Sequence, residues 1–242
     1  MLSRLSVSLA IARNVRVKEF RLVQSIVFKS TTSCWSCGVT VGASQIKCES
    51  NQCGRIQDLS SPEIDSLFFE LLSLPRRFDI QKEELDDAQK RLQRLVHPDL
   101  AGALSPREQE ACTHASSRIN VAHRTLLKST SRAQYLLKLS GLDALGESAG
   151  TKNVSPELLM QVMEARELIS DQDTSRDALE QLRKRNLVAL QAIEKDLSEA
   201  FLKKNLDLAR DITVALQYSA KIEEEIGERL DSASNNTDKV ST

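Results

Sequence analysis

Residues 84–99 read Glu84-Leu85-Asp86-Asp87-Ala88-Gln89-Lys90-Arg91-Leu92-Gln93-Arg94-Leu95-Val96-His97-Pro98-Asp99. Leu85, Ala88, Leu92 and Leu95 recur at helical spacing, so the stretch predicts an amphipathic helix. Pro98 has no N–H to donate and pushes His97 out of helical geometry, so His97-Pro98-Asp99 predicts a loop. A second helix is announced at Ser105-Pro106-Arg107-Glu108, where proline at the first helical position coincides with an S-x-x-E capping box. The box should contribute about 1 kcal/mol to helix initiation. A His and an Asp in such a loop, beside the basic positions Lys90, Arg91 and Arg94, suit a docking site better than a catalytic pair.

The composition around this hairpin favours an all-α protein. The 242-residue chain has only 8 glycines and 5 prolines, and Leu, Ala, Glu, Lys, Arg and Gln dominate from residue 60 onward. Its 33 basic and 34 acidic residues leave a net charge of −1, which argues against bulk attraction to nucleic acid. No apolar run reaches the ~18 residues needed to cross a bilayer. No Gly-rich phosphate loop, nucleophile–base pair or open metal site is present, so the residues point away from an enzyme.

Residues 1–30 carry six basic residues against Glu19 alone, with Leu2, Leu5, Leu9 and Ala12 on one helical face. A basic, acid-poor amphipathic start has the composition of a mitochondrial targeting segment; the alternative is a basic arm of the mature protein. Residues 31–58 form a cysteine module with turns at Gly38, Gly42 and Gly54.

Residues 60–141 predict a compact helical unit. Ser61 caps its first helix, which carries Leu67, Phe68, Leu71 and Leu72 and ends at Pro75; Asp79 is placed to cap the next. The helix from Ser105 offers Ala111, Ala115, Ile119, Ala122 and Leu126 to the core, and Gly141 stops a last short helix. His114 and His123 have no acid or cysteine at ligand spacing and read as ordinary helix residues. Residues 142–153 predict a linker, 154–231 a bundle of three helices turning near 171–175 and Asn205, and 232–242 a disordered tail.

Four of the five cysteines, Cys34, Cys37, Cys48 and Cys53, crowd into the C-x2-C-x10-C-x4-C pattern. Four thiolates can close a tetrahedral zinc site with no open position, which makes a structural role the expectation. A redox disulfide pair and iron are the other readings of the same residues. Cys112 stands alone and reads as a small buried helix residue. In the first bundle helix, Leu158, Leu159, Met160, Val162 and Met163 span more than one face. The surplus is either a wide core or an exposed partner surface.

Helix, His-Pro-Asp loop and antiparallel helix resemble a J-domain, the module of DnaJ-type co-chaperones. The strings at 92–99, Ile119-Asn120-Val121-Ala122-His123-Arg124-Thr125-Leu126, Arg132-Ala133-Gln134-Tyr135-Leu136-Leu137-Lys138-Leu139-Ser140-Gly141 and Met163-Glu164-Ala165-Arg166-Glu167 resemble the HscB co-chaperones of iron–sulfur cluster assembly. The resemblance covers roughly residues 34–230. It implies that His97, Pro98 and Asp99, with the basic face of Lys90, Arg91 and Arg94, contact a DnaK-type heat-shock ATPase chaperone. It implies that Leu159, Met160, Met163 and Tyr218 bind an IscU-type scaffold protein. It also implies the mitochondrial matrix as compartment, with the cytoplasm second, and neither nucleic acid nor membrane as partner. The sequence departs from the family pattern at His123, where Tyr or Trp is common, near Thr130, where Pro is common, and in its second cysteine loop, which is longer by two. Two other classes fit the residues: a general protein-folding J-protein, and a redox or metal-handling protein centred on the cysteines.

Overall fold

The computed structural model describes residues 30–97, 104–142 and 155–238. Two short strands, β1 (Thr31–Ser33) and β2 (Thr40–Gly42), pair antiparallel with Thr32 opposite Val41. Every other regular element is helical: α1 (Phe68–Leu71), α2 (Lys82–Gln93), α3 (Pro106–Leu127), α4 (Ser129–Leu139), α5 (Pro156–Ser170), α6 (Arg176–Leu202) and α7 (Leu206–Asp238). The fold is all-α, as composition and periodicity predict.

Several local signals act where they stand in the sequence. Ser61 accepts from the Glu63 N–H and opens a 3-10 turn over Pro62–Ser66, so α1 is shorter than expected. It also stops before Pro75: Leu72 is its last cap, and Ser73 turns left-handed at φ 58°. Asp79 does not cap α2. The chain stays extended through Gln81, which takes the cap position, and the Asp79 carboxylate accepts from the Gln81 side chain instead. α2 buries Leu85, Ala88 and Leu92, but it ends at Gln93. Leu95 therefore falls out of phase, 42% exposed, and Val96 is buried in its place. Ser105 and Glu108 make the expected capping box at the start of α3. Ser155 and Ser175 cap α5 and α6 through the N–H groups of Leu158 and Ala178. α7 continues to Asp238, beyond Ser232 where the sequence suggests its end.

α2 and α3 form the expected hairpin. Its seam is apolar at Leu85, Ala88, Ala115, Ile119 and Ala122, and it is clasped by Gln89 and Gln93 donating to Asn120 Oδ1 at 2.9 and 3.0 Å. Small residues on α3 let the two backbones approach. α4 closes the unit. Its Tyr135 ring stacks on Phe68 at 5.0 Å, and the Tyr135 hydroxyl accepts the Phe68 N–H at 2.9 Å, satisfying one free donor at the start of α1.

α5, α6 and α7 form a three-helix bundle whose turn between α6 and α7 packs on the hairpin unit. Phe201 of α6 lies 5.7 Å from Phe78, and the Arg132 guanidinium sits 5.0 Å over the other ring of that contact, Phe78. One continuous core thus runs from Ile46 and Ile56 of the cysteine module, through α1–α4, to Leu197, Ala200, Ala209 and Leu216. A second core, built on Val162, Ala165, Leu179, Ile222, Ile226 and Leu230, fills the far end of the bundle.

Candidate docking faces and metal centre

The first candidate site lies at the end of α2. Lys90, Arg91 and Arg94 are all exposed on its last turn and C-cap, and His97 follows them, also exposed. Cations at a helix C-terminus are favoured by its dipole, so this basic cluster costs the fold little. Positions 90 and 94 are one turn apart on one face. Pro98 and Asp99 lie outside the described residues.

Behind this face is a contact that local spacing did not reveal. His123 of α3, largely buried, places Nε2 2.8 Å from Asp86 Oδ1 on α2. The His123 hydrogen bond, against some desolvation, lowers the pKa of the Asp86 carboxyl; Lys82 and Lys90 add to the effect. His114 likewise meets Asp58 at 2.8 Å. Both histidines therefore have acidic partners, 37 and 56 residues away in sequence, rather than being the isolated helix residues their spacing suggests.

The second candidate face lies on α5 and α7. Leu158, Val162, Ala165 and Ile169 turn inward onto the second core, at helical spacing. Met160 and Met163 lie on the opposite side, 61% and 70% exposed. The reading in which all the apolar residues of this helix enter the bundle core is thereby excluded for these two. Arg166 pairs with Glu225 at 3.1 Å across 59 residues, and the same offset sets Leu159 level with Tyr218. Both are half-buried, and Tyr218 packs against the second core. Leu159 thus stands at the rim of the inward stripe, between the core and the exposed methionines.

The third site is the cysteine cluster. Two tight loops present the four sulfurs. In one, the Gly38 N–H donates to the Cys34 carbonyl at 2.9 Å; in the other, the Cys53 N–H donates to Ser50 at 2.9 Å. Each cysteine pair is followed by a glycine at positive φ, Gly38 at 74° and Gly54 at 62°, where a β-carbon would strain the turn. Gly42 instead belongs to β2. All four Sγ atoms lie within 4.8 Å of one another, with Cys34–Cys53 and Cys37–Cys48 both at 3.7 Å, and all four cysteines are free thiols. Tetrahedral metal–sulfur bonds of ~2.3 Å put sulfurs ~3.8 Å apart, so the cluster fits a metal ion.

The electrostatics agree with that fit. Burial works to raise the Cys34 thiol, but N–H groups of Cys37 and Ser36, with the Cys37 and Cys53 thiols, bring it down to about 6. For Cys48 the Ser50 N–H works downward, while burial and the other three sulfurs push it up to about 12. Four sulfurs this close cannot all ionise unless a cation joins them. Buried Gln57 adds an amide N–H 3.4 Å from Cys34 Sγ. Trp35 turns to α3, with its indole N–H on the Ile56 carbonyl at 2.8 Å and Arg107 4.5 Å over its ring. Cys112 lies apart, buried in α3 as expected.

Comparison with known proteins agrees with this architecture. The profile of the HSCB C-terminal oligomerisation domain matches residues 154–227. An iron–sulfur cluster co-chaperone HscB homolog from Arabidopsis thaliana is 33% identical over 203 residues, covering 84% of this chain and 76% of that protein. A co-chaperone HscB homolog of Azoarcus sp. (strain BH72) is 35% identical over 176 residues, covering 69% and 96% respectively. The crystal structure of human co-chaperone HscB superposes with a TM-score of 0.70 at 28% identity, covering 82% of this chain and 98% of that one.

Proposed function

The chain belongs to the HscB family of iron–sulfur cluster co-chaperones, and on that premise we propose that it is a two-ended adaptor between an IscU-type scaffold and a DnaK-type ATPase chaperone. The observation that carries this reading is the exposure of Met160 and Met163, at 61% and 70%, on a helix whose other face packs onto the second core. Exposed apolar residues grouped on one face mark a partner surface, and methionine adapts to a partner's contours. With Leu159 and Tyr218 at the rim, the patch offers roughly 1.5–3 kcal/mol per buried side chain before the costs of association. That suits a micromolar, transient complex. The exposure of Met160 counts against a general folding J-protein, which burial of both Leu159 and Met160 with no scaffold binding would favour.

At the other end, Lys90, Arg91 and Arg94 would steer encounter with an acidic chaperone surface, an effect that salt weakens. Asp99 would accept a charge-assisted hydrogen bond from a chaperone arginine, with His97 and Pro98 setting the loop that presents it. The protein would stimulate ATP hydrolysis on the chaperone, which then clamps the scaffold and promotes release of the cluster, its cargo. The cysteine set supports a closed structural zinc site at Cys34, Cys37, Cys48 and Cys53, which would hold together a module with little core of its own. The basic start, residues 1–29 of which lie outside the described residues, supports import into the mitochondrial matrix.

His97→Gln tests the reading. It should abolish stimulation of the chaperone ATPase and leave scaffold affinity, measured by calorimetry, within twofold of wild type. Equal stimulation by wild type and variant would overturn the chaperone end. In parallel, Leu159→Ala with Tyr218→Ala should weaken scaffold binding at least tenfold with the far-ultraviolet circular dichroism unchanged. Unchanged affinity would overturn the scaffold end.

A further inference from the structure

The start of α3 is joined to the cysteine cluster at two points, each within two residues of a cysteine in the sequence. Glu108 is buried, with 3% of its side chain exposed, and a buried carboxylate needs partners. It has three: the Ser105 N–H at 3.4 Å, the Ser105 hydroxyl at 3.1 Å, and the Arg55 guanidinium. Arg55 stands two residues after Cys53, and its carbonyl is held by the Cys48 N–H and the Gln57 amide, both at 2.9 Å. The second joint is Arg107 on Trp35, the residue after Cys34. So both cysteine loops reach the same helical turn, one through Arg55 and the other through Trp35. That turn begins at Ser105, six residues after Asp99 in the sequence.

Resting on the chaperone-docking reading above, we propose that the cysteine module is a metal-dependent clamp on the first turn of α3, so that metal occupancy of Cys34, Cys37, Cys48 and Cys53 tunes engagement of the ATPase chaperone, with Glu108 as the positioning residue on which the clamp closes. The physical reason lies in the size of the parts. Ile46 and Ile56 anchor the module to the main core, but around the sulfurs its buried set is only Cys34, Val41 and Cys48, with Cys53 beside them, so the metal-ligand bonds supply there what a hydrophobic core does not. When the metal leaves, Arg55 and Trp35 lose their fixed positions. Glu108 is then a buried carboxylate without its cation, and it regains solvation only if the first turn of α3 opens.

Amide hydrogen exchange on the full chain tests the clamp, with zinc bound and after chelation. Exchange over residues 105–110 should rise at least tenfold on zinc removal, while residues 132–139 of α4 stay unchanged. Arg55→Met should raise exchange over 105–110 to a similar degree with zinc content still one per chain. In the same variant, half-maximal ATPase stimulation should require at least threefold more co-chaperone, at unchanged scaffold affinity. Unchanged exchange over 105–110 after zinc removal overturns the clamp. Raised exchange with unaltered ATPase stimulation overturns the coupling, while the chaperone reading stands or falls separately on His97→Gln. Loss of zinc from Arg55→Met would make that variant unusable, and Glu108→Gln then serves. With no buried charge left to solvate and the Ser105 cap still possible, it should abolish the rise in exchange over 105–110 on zinc removal, and a rise as large as in wild type overturns the role of Glu108.

Discussion

Tyr135 shows how much a single side chain carries in this fold. Its ring fills the space against Phe68 and Phe69, and its hydroxyl takes the N–H that opens α1. Burial raises its pKa to about 12 from an ordinary value of 10.0, although the Phe68 N–H works in the opposite direction. An acid whose folded pKa is raised contributes stability that is fully present below the unfolded pKa and is lost as pH rises through the folded one. The window here is pH 10 to 12, and two pKa steps correspond to about 3 kcal/mol. The stability difference between wild type and Tyr135→Phe, from urea unfolding at each pH, should therefore shrink by about that much across the window. Lysine and cysteine titrations are common to both proteins and cancel. Parallel curves would show that the hydroxyl is not buried as described. The residues beside Tyr135 are as closely engaged. Arg132 lies over Phe78 at the joint with the bundle, Ala133 and Leu137 are fully buried, and Tyr135 caps α1.

At the scale of elements, the end of α4 is the clearest case of a local signal doing what it announces. The Leu142 N–H reaches back to the Leu137 carbonyl and the Gly141 N–H to that of Lys138, both at 3.0 Å, with Gly141 at φ 77°. This is the Schellman arrangement, and it needs a left-handed residue where glycine alone is unstrained. A β-carbon at Gly141 would meet nothing within 4 Å, so Gly141→Ala isolates the backbone cost. It should destabilise the protein by about 1–2 kcal/mol in urea unfolding; no change would mean that the turn readily adopts another form. Such signals are legible because cap, proline and glycine act within a few residues; Ser105 and Gly141 are both readable in this way. Asp79 failed because two more extended residues intervene before α2, and nothing local specifies them. Arg55–Glu108 and His123–Asp86 were illegible, because pairs 53 and 37 residues apart leave no periodic trace. Leu159, Met160 and Met163 were legible as candidates, but sorting rim from solvent required the helix phase that the Arg166–Glu225 pair fixes.

For the whole molecule, the division into two cores matters more than the division into hairpin and bundle. The larger core joins the cysteine module, α1–α4 and the α6–α7 turn, so the basic end of α2 and the bundle share one packed body. α5 belongs to the smaller core alone, where it contributes Val162 and Ala165 in full and Leu158 and Ile169 in part. Its outer face, with Met160 and Met163, has no neighbour to hold it among the described residues. Burial of those few inward side chains supplies on the order of 5 kcal/mol, against the chain entropy of ordering the helix. α5 should therefore open locally, at lower free energy than α3, which is buried along its length. Native-state amide exchange should find α5 amides at least tenfold less protected than those of α3 between Ala111 and Leu126. Equal protection would mean that both cores unfold as one unit. If α5 carries the scaffold face, scaffold at one hundred times its Kd should raise α5 protection by ~2.7 kcal/mol, because a ligand bound only to the closed helix suppresses its opening by mass action. Amides of α3 that exchange only through global unfolding should gain the same ~2.7 kcal/mol, because global unfolding also destroys the scaffold face, whereas those of its first turn, which opens separately, should be unchanged.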